Sequence, residues 1–393
     1  MQTEAAEIRI TGIGLVSCLG RGAEAHLDAL RDGRSGLTIC DWGVPFPCHI
    51  GRVAGVEGDA FPAAHAAFDN RANRLALAAL ATDGLAEQIA AARSRHGAGR
   101  IGLVVGTSTS GVERLETAYR SRPLDAALPA EYSLRHHNDH HAVAAFLHDF
   151  LDIQGPGHTV STACSSSAKA LIDAVHLIEA GLCDAVLAGG VDSLCFTSLA
   201  GFEALELVSR APCRPCDAAR DGLSIGEGAA FLLVERAADG PRLSGYGETS
   251  DGTNMSTPPE DGRGAAEAMR AALARAGLTP EQIAYVNLHG TATPANDASE
   301  GAAVSTVLGN AVPVASLKGA LGHTLGAAGA LEIALCLIAQ RAGLMPGTVG
   351  LESQDPAIAC HVLTAPVAGE MPHLLSNAFG FGGSNAAVVL SRE

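Results

Sequence analysis

Two stretches far apart in this chain share a short pattern. Gly226-Glu227-Gly228-Ala229-Ala230 leads into the apolar run Phe231-Leu232-Leu233-Val234, and Gly383-Ser384-Asn385-Ala386-Ala387 leads into Val388-Val389-Leu390. Both are Gly-x-x-Ala-Ala followed by a strand-like segment, and the polar link Ala237-Ala238-Asp239-Gly240-Pro241 follows the first. A repeated strand implies a repeated unit, so two related halves are expected, residues 1–240 and 241–393. Short strand patterns at Ile8-Arg9-Ile10, Ile101 to Val105, Ala185 to Ala188 and Phe231 to Val234 alternate with helical spacing over Arg74 to Ile89, Ser166 to Glu179, Ala265 to Ala276 and Ala327 to Ala339. That alternation predicts an α/β fold.

With 393 residues the chain can bury a large core. Glycine supplies 46 of them, about 12% against a usual 7% or so, and its clusters look like tight turns rather than a fibrous repeat. The 26 basic and 42 acidic residues leave a net charge of −16, the wrong sign for a nucleic-acid or anionic-membrane binder. No apolar run approaches the roughly 18 residues of a membrane span, and Met1-Gln2-Thr3-Glu4 lacks the basic and apolar regions of a signal peptide. Ten scattered cysteines read as free thiols in a reducing compartment, so the expected location is the cytoplasm. Cys213 and Cys216 form a single CxxC with no second pair at zinc-ligand spacing, which favours a packed loop over a metal site.

Four clusters could carry chemistry. The run Thr159-Val160-Ser161-Thr162-Ala163-Cys164-Ser165-Ser166-Ser167 passes from a strand into a helix whose apolar residues include Leu171, Ile172, Val175 and Ile178, with Gly181 placed to end it. A cysteine in a first helical turn feels the positive end of the dipole, and its pKa can fall from about 8.5 to between roughly 3.5 and 7.5. Cys164 is therefore expected to be a thiolate nucleophile. The second cluster, Asn287 to Asp297, sets His289 after the strand Ala284-Tyr285-Val286, in a loop with Thr291 and Thr293. The third, Ser316 to Gly329, holds Lys318 and His323, with Glu332 on the following helix. The fourth, Asn377 to Asn385, is a glycine-dense turn through Phe379 and Phe381. Singly, a histidine is more often a packed residue and a glycine turn only a turn. Together, two imidazoles can converge on one developing enolate oxygen, and backbone amides can form an oxyanion hole.

These four motifs, in this order and running nearly end to end from Thr11-Gly12-Ile13-Gly14, resemble the elongating β-ketoacyl-acyl-carrier-protein synthases. The resemblance implies the thiolase fold, two similar α/β halves in five αβαβα layers, with the nucleophilic cysteine in the first half and both catalytic histidines in the second. It implies a decarboxylative condensation of an acyl-cysteine with malonyl carrier protein, in fatty-acid or related polyketide synthesis, the aryl-polyene branch included. Carried over, Cys164 is the acylated nucleophile, and His289 and His323 bind the malonyl thioester carbonyl. Lys318 pairs with Glu332 and supports His323. Phe381 is the gate whose amide completes the oxyanion hole, and Phe379 is its neighbour. Thr291 and Thr293 hold the phosphopantetheine arm, and Asp297 and Glu300 structure the loop after His289. No metal or organic cofactor is implied, since the arm belongs to the carrier-protein substrate. The implied partners are acyl carrier protein and a second subunit, either an identical copy or a related ketosynthase-like chain.

Thr109 stands where relatives often place a bulkier apolar residue, which implies an open acyl pocket. The run His136-His137-Asn138-Asp139-His140-His141 would, as a helix, set His136 with His140 and His137 with His141 at a chelating spacing, although pocket lining or packing is the stronger reading. Gly12-Ile13-Gly14 lacks the third glycine and the downstream acid of a dinucleotide loop. A non-catalytic chain-length subunit would lack the reactive cysteine, an initiating synthase would pair one histidine with an asparagine, and a thiolase would use a second cysteine. The residues here disfavour all three.

Overall fold

The computed structural model describes residues 7–392. Its first five long strands are Glu7–Ser17, Ile101–Gly106, Gly157–Val160, Ala185–Asp192 and Gly228–Ala237. They lie side by side in the order third, second, fourth, fifth, first. The strands Arg242–Ser250, Tyr285–Asn287, Pro313–Ala315, His373–Gly380 and Ser384–Ser391 repeat that order. In each set the second strand pairs in parallel with the third and fourth, and the fifth is antiparallel to both its neighbours. The two segments that share the Gly-x-x-Ala-Ala pattern thus run into the two fifth strands. The two sets meet where Arg9 pairs with Arg242, giving one continuous twelve-stranded sheet when two short strands are included.

Period-two alternation sorts each strand's side chains into different layers. Val186, Leu232, Leu374 and Val388 point into a central core, where they enclose Leu171 and Val175 of the helix Ser166–Glu179 and Leu331 and Leu335 of the helix Ala328–Arg341. Their neighbours Leu103, Phe231 and Leu233 face outward onto Leu75, Ile89 and Phe146. On the other side Leu375 and Val389 face Met269, Leu273 and Val304. The result is helix, sheet, helix, sheet, helix. Strands covered on both faces need no polar side, which is why Ile101–Gly106 and Ala185–Asp192 are buried throughout. The two central helices cross closely at Gly329, where an added Cβ would meet that of Ala168 at 2.7 Å.

The helix expected over Arg74 to Ile89 is two helices, Arg71–Leu80 and Leu85–His96. Asp83 and Gly84 adopt φ of +54° and +74° between them, yet Leu75, Ala79, Leu85 and Ile89 all reach the same outer core. The periodicity survived a break that the backbone did not. The helix Ser166–Glu179 matches its expected bounds, and Gly181 follows it at φ +69°. Gly12 and Gly14 lie inside the strand Glu7–Ser17 rather than at a helix start. No single described helix is long and apolar enough to cross a membrane.

Candidate active site

Cys164 lies one residue before Ser165, the N-cap of the helix Ser166–Glu179, and so outside the first helical turn expected for it. The chain turns there through Ala163 at φ +54°, a left-handed conformation that costs a non-glycine residue about 1–2 kcal/mol. The serines hold the turn. Thr162 N donates to Ser166 Oγ (2.9 Å), and Ser165 Oγ donates to the Thr162 carbonyl (2.8 Å). The turn leaves Cys164 Sγ buried, 3.0 Å from His323 Nε2.

The surroundings of Cys164 run against the resting thiolate expected for it. Burial pushes the Cys164 thiol up to about 11, a buried Asp192 adds to the rise, and Lys318 and the Phe381 amide only partly oppose it. Burial thus favours the thiol form of Cys164 beside its imidazole. Burial, reinforced by Lys318, likewise holds both His289 and His323 well below the usual histidine range, so both rings are neutral. The rings lie 5.3 Å apart, edge to face at 84°.

Lys318 is fully buried and donates to Glu332 Oε1 at 2.6 Å. Its other neighbour corrects the sequence reading. Nζ lies 3.5 Å from Nδ1 of His289, so the lysine supports that ring and not His323. A donor on Nδ1 leaves the His289 proton on Nε2. Asn287, unassigned from sequence, completes the group by donating to Glu332 Oε2 at 3.0 Å. Below His289, Glu300 accepts from the amides of His289 and Gly290, each at 2.8 Å, and from Asn377 Nδ2 at 3.0 Å. Asp297 accepts from the amides of Ala292 (3.2 Å) and Cys216 (2.9 Å). Cys213 donates its thiol to the Lys318 carbonyl at 3.3 Å. The CxxC therefore packs beneath the site.

A cavity of about 300 Å³ is lined by Cys164, His289, His323, Thr291 and Thr293, whose two threonine hydroxyls lie 2.8 Å apart. A second, of about 320 Å³, shares Cys164, Phe202 and Phe381 with the first and adds Thr109 and Leu325. Phe381 divides the two. It packs on Phe202 with centroids 5.6 Å apart, and its loop bends through Gly382 and Gly383 at φ +85° and +76°. Phe379 lies beside His289. Every site residue expected from sequence thus lines these cavities or braces their walls.

The histidine run is not one helix. Leu134–His137 makes a single turn, after which each ring takes its own partner: Phe68 for His136, the Ser133 amide for His137, the Ser108 carbonyl for His140 and Thr159 for His141. Among the described residues, the group able to share a cation is Cys164, His289 and His323, whose ligand atoms lie within 4.8 Å of one another.

A thiol, two neutral rings and a repeated five-layered architecture define a condensing enzyme of the thiolase fold. Two family models, the N-terminal and C-terminal domains of β-ketoacyl synthase, match residues 5–240 and 242–352, and the chain belongs to that family. It is 40% identical over 262 residues to 3-oxoacyl-(acyl-carrier-protein) synthase 2 of Rhizobium meliloti, a match to 61% of this chain that spans 62% of that synthase. Against the enzyme of the same name from Vibrio cholerae it is 29% identical over 98% of both. Among solved structures it is similar to the ketosynthase ApeO of Xenorhabdus doucetiae, in complex with its chain length factor ApeC (36% identity, TM-score 0.92, 99% of this chain and 98% of that one). It is also similar to a β-ketoacyl synthase of Burkholderia phymatum (30% identity, TM-score 0.88, 99% and 100%).

Proposed function

We propose that this chain is a 3-oxoacyl-acyl-carrier-protein synthase that lengthens an acyl group held on Cys164 by two carbons. The observation that carries the reading is the 3.0 Å approach of Cys164 Sγ to His323 Nε2 at the junction of two cavities. In the first stage Sγ attacks the acyl thioester of a carrier protein while its proton passes to His323. The amides of Cys164 and Phe381 face the oxygen that becomes negative, and the carrier's thiol leaves with a proton. The acyl chain then occupies the cavity holding Thr109.

In the second stage a malonyl thioester enters past Thr291 and Thr293. Its terminal carboxylate departs as carbon dioxide and leaves its electron pair on the α-carbon. The Nε2 proton of His289, fixed there by Lys318, donates to the enolate oxygen, with His323 beside it. The carbanion attacks the acyl carbon, the bond to Sγ breaks, and a 3-oxoacyl product leaves. The carboxylate itself supplies the carbanion, so the reaction as proposed needs no metal or organic cofactor.

The first half, 1–240, supplies the nucleophile, and the second, 241–393, supplies both imidazoles. Acyl carrier protein is the partner in each stage, and a second subunit, identical or ketosynthase-like, completes the assembly in the cytoplasm. Synthase relatives support a fatty-acid role, and the solved ketosynthase paired with a chain length factor supports the related polyketide role and a heterodimer. The alternative of a non-catalytic chain-length subunit is opposed by the presence of Cys164, His289 and His323. Incubation with a panel of acyl carrier proteins should add one acyl mass to the protein, and Cys164→Ala should abolish it. A chain that never acquires an acyl mass is not the proposed enzyme.

A further inference from the structure

Asp192 ends the strand Ala185–Asp192 and is fully buried, yet no step above uses it. Its Oδ1 accepts from Thr107 Oγ1 (2.7 Å), Thr109 N (2.7 Å) and Thr109 Oγ1 (2.8 Å). Ser108 N donates to both oxygens, at 3.0 and 2.9 Å, and Gly326 N donates to Oδ2 at 2.6 Å. Three of these donors are backbone amides, which can only donate, so the set suits an ionised, acceptor-only carboxylate.

The donors come from opposite halves. Thr107 to Thr109 follow the strand Ile101–Gly106 and include lining of the acyl-side cavity. Gly326 belongs to the second half, three residues after His323. Between them Leu325 lines the same cavity and adopts φ +53°, a conformation that persists in a bulky residue only when its surroundings impose it. An added Cβ on Gly326 would meet Asp192 Oδ2 at 2.7 Å, so the loop is seated directly on the carboxylate.

We propose that Asp192 is a positioning residue that clamps the His323 loop to the floor of the acyl cavity, keeping Nε2 within reach of Cys164 as that cavity fills. The inference rests on Cys164 being the acylated nucleophile. Its position also affects the sulfur. Cys164 is faced by the two neutral imidazoles, by Lys318, which pulls the thiol down, and by Asp192, which pushes it up.

The test is Asp192→Asn in the full chain. If the amide keeps its oxygen toward Thr107 and Thr109, its NH₂ meets the Gly326 N–H, donor against donor, and the negative charge is gone. Condensation kcat should fall about tenfold or more, with the KM for malonyl carrier protein within about threefold, because a displaced group costs rate rather than binding. The midpoint of Cys164 alkylation by iodoacetamide against pH should move down, since removing an anion favours the thiolate. A kcat within about twofold of the parent overturns the proposal, as does a kcat loss with an unmoved midpoint, which marks a general structural effect. Should the asparagine variant fail to fold, Thr107→Val deletes one donor and keeps the charge. A condensation rate about threefold slower supports the clamp, and an unchanged rate overturns it. If the parent protein never forms a thioester, the reading of its function fails, and the alkylation midpoint alone decides whether Asp192 acts on the sulfur.

Discussion

In the first half, the third strand, Gly157–Val160, leads through Cys164 into the buried helix Ser166–Glu179. In the second half, Pro313–Ala315 leads through Lys318 and His323 into the buried helix Ala328–Arg341. The sulfur and the imidazole it touches therefore follow equivalent strands in a repeated topology and meet just ahead of the central helix pair. The loops after the second strands correspond in the same way: Thr109 follows Ile101–Gly106, and His289 follows Tyr285–Asn287. Duplication accounts for the convergence, and substitution within equivalent loops accounts for the division of labour. One half supplies the thiol, and the other supplies both imidazoles and the buried lysine.

The sharpest way to break that division is to remove each ring separately. His289→Ala should slow malonyl decarboxylation by about 10²-fold or more and still allow acyl loading of Cys164, because only His323 touches Sγ. His323→Ala should slow both steps. Mass spectrometry for loading and carbon dioxide release for decarboxylation would show it, and equal loading defects in the two variants would dissolve the distinction.

Next in size is the brace beneath His289. Lys318→Met leaves Glu332 buried without its cation, which should cost about 3–5 kcal/mol of unfolding free energy in a denaturant titration. The same variant should shift Cys164 alkylation to higher pH. The parent thiol, pushed up to about 11, gains reactivity only as pH rises toward that value, and loss of Lys318 removes a group that lowers it. A downward shift would contradict the assigned electrostatics.

A smaller effect is expected at the floor of the first-half cavity. Thr109→Phe should shorten the longest acyl chain accepted, read from the mass added to Cys164 across a chain-length series. An unchanged limit would place the chain elsewhere. Smallest is Ala163→Gly, which should relieve the left-handed turn and raise stability by about 1 kcal/mol, measured by the thermal midpoint. Destabilisation would show that the turn carries no strain.

Much of this arrangement is legible in the residues, for reasons that differ by position. Ser166–Glu179 has apolar spacing along its length and a glycine beyond its end, so local information suffices. The break at Asp83 was hidden because Leu85 and Ile89 return to the same core. Lys318 stands five residues before His323 and so suggested that partner. Parallel pairing of Asn287 with Ala315 instead brings His289 to its side, a relation fixed by the sheet and not by proximity in sequence. The environment of the thiol was hidden as well, because the burial that raises it and the groups that face it, Asp192, Lys318 and the Phe381 amide, come together only in the fold. Asp192 gave one signal that passed unremarked, a lone acid closing a run of buried apolar residues.

The two helices sandwiched at the centre bury nearly all their apolar surface, since each leans on the other and on a strand layer above and below. Only a few polar residues such as His176 and Glu179 reach solvent. A protease that nicked the link around Asp239 would therefore release nothing. The fragments would stay joined by their common interior, and neither, made alone, could fold without a substitute for the other's greasy wall.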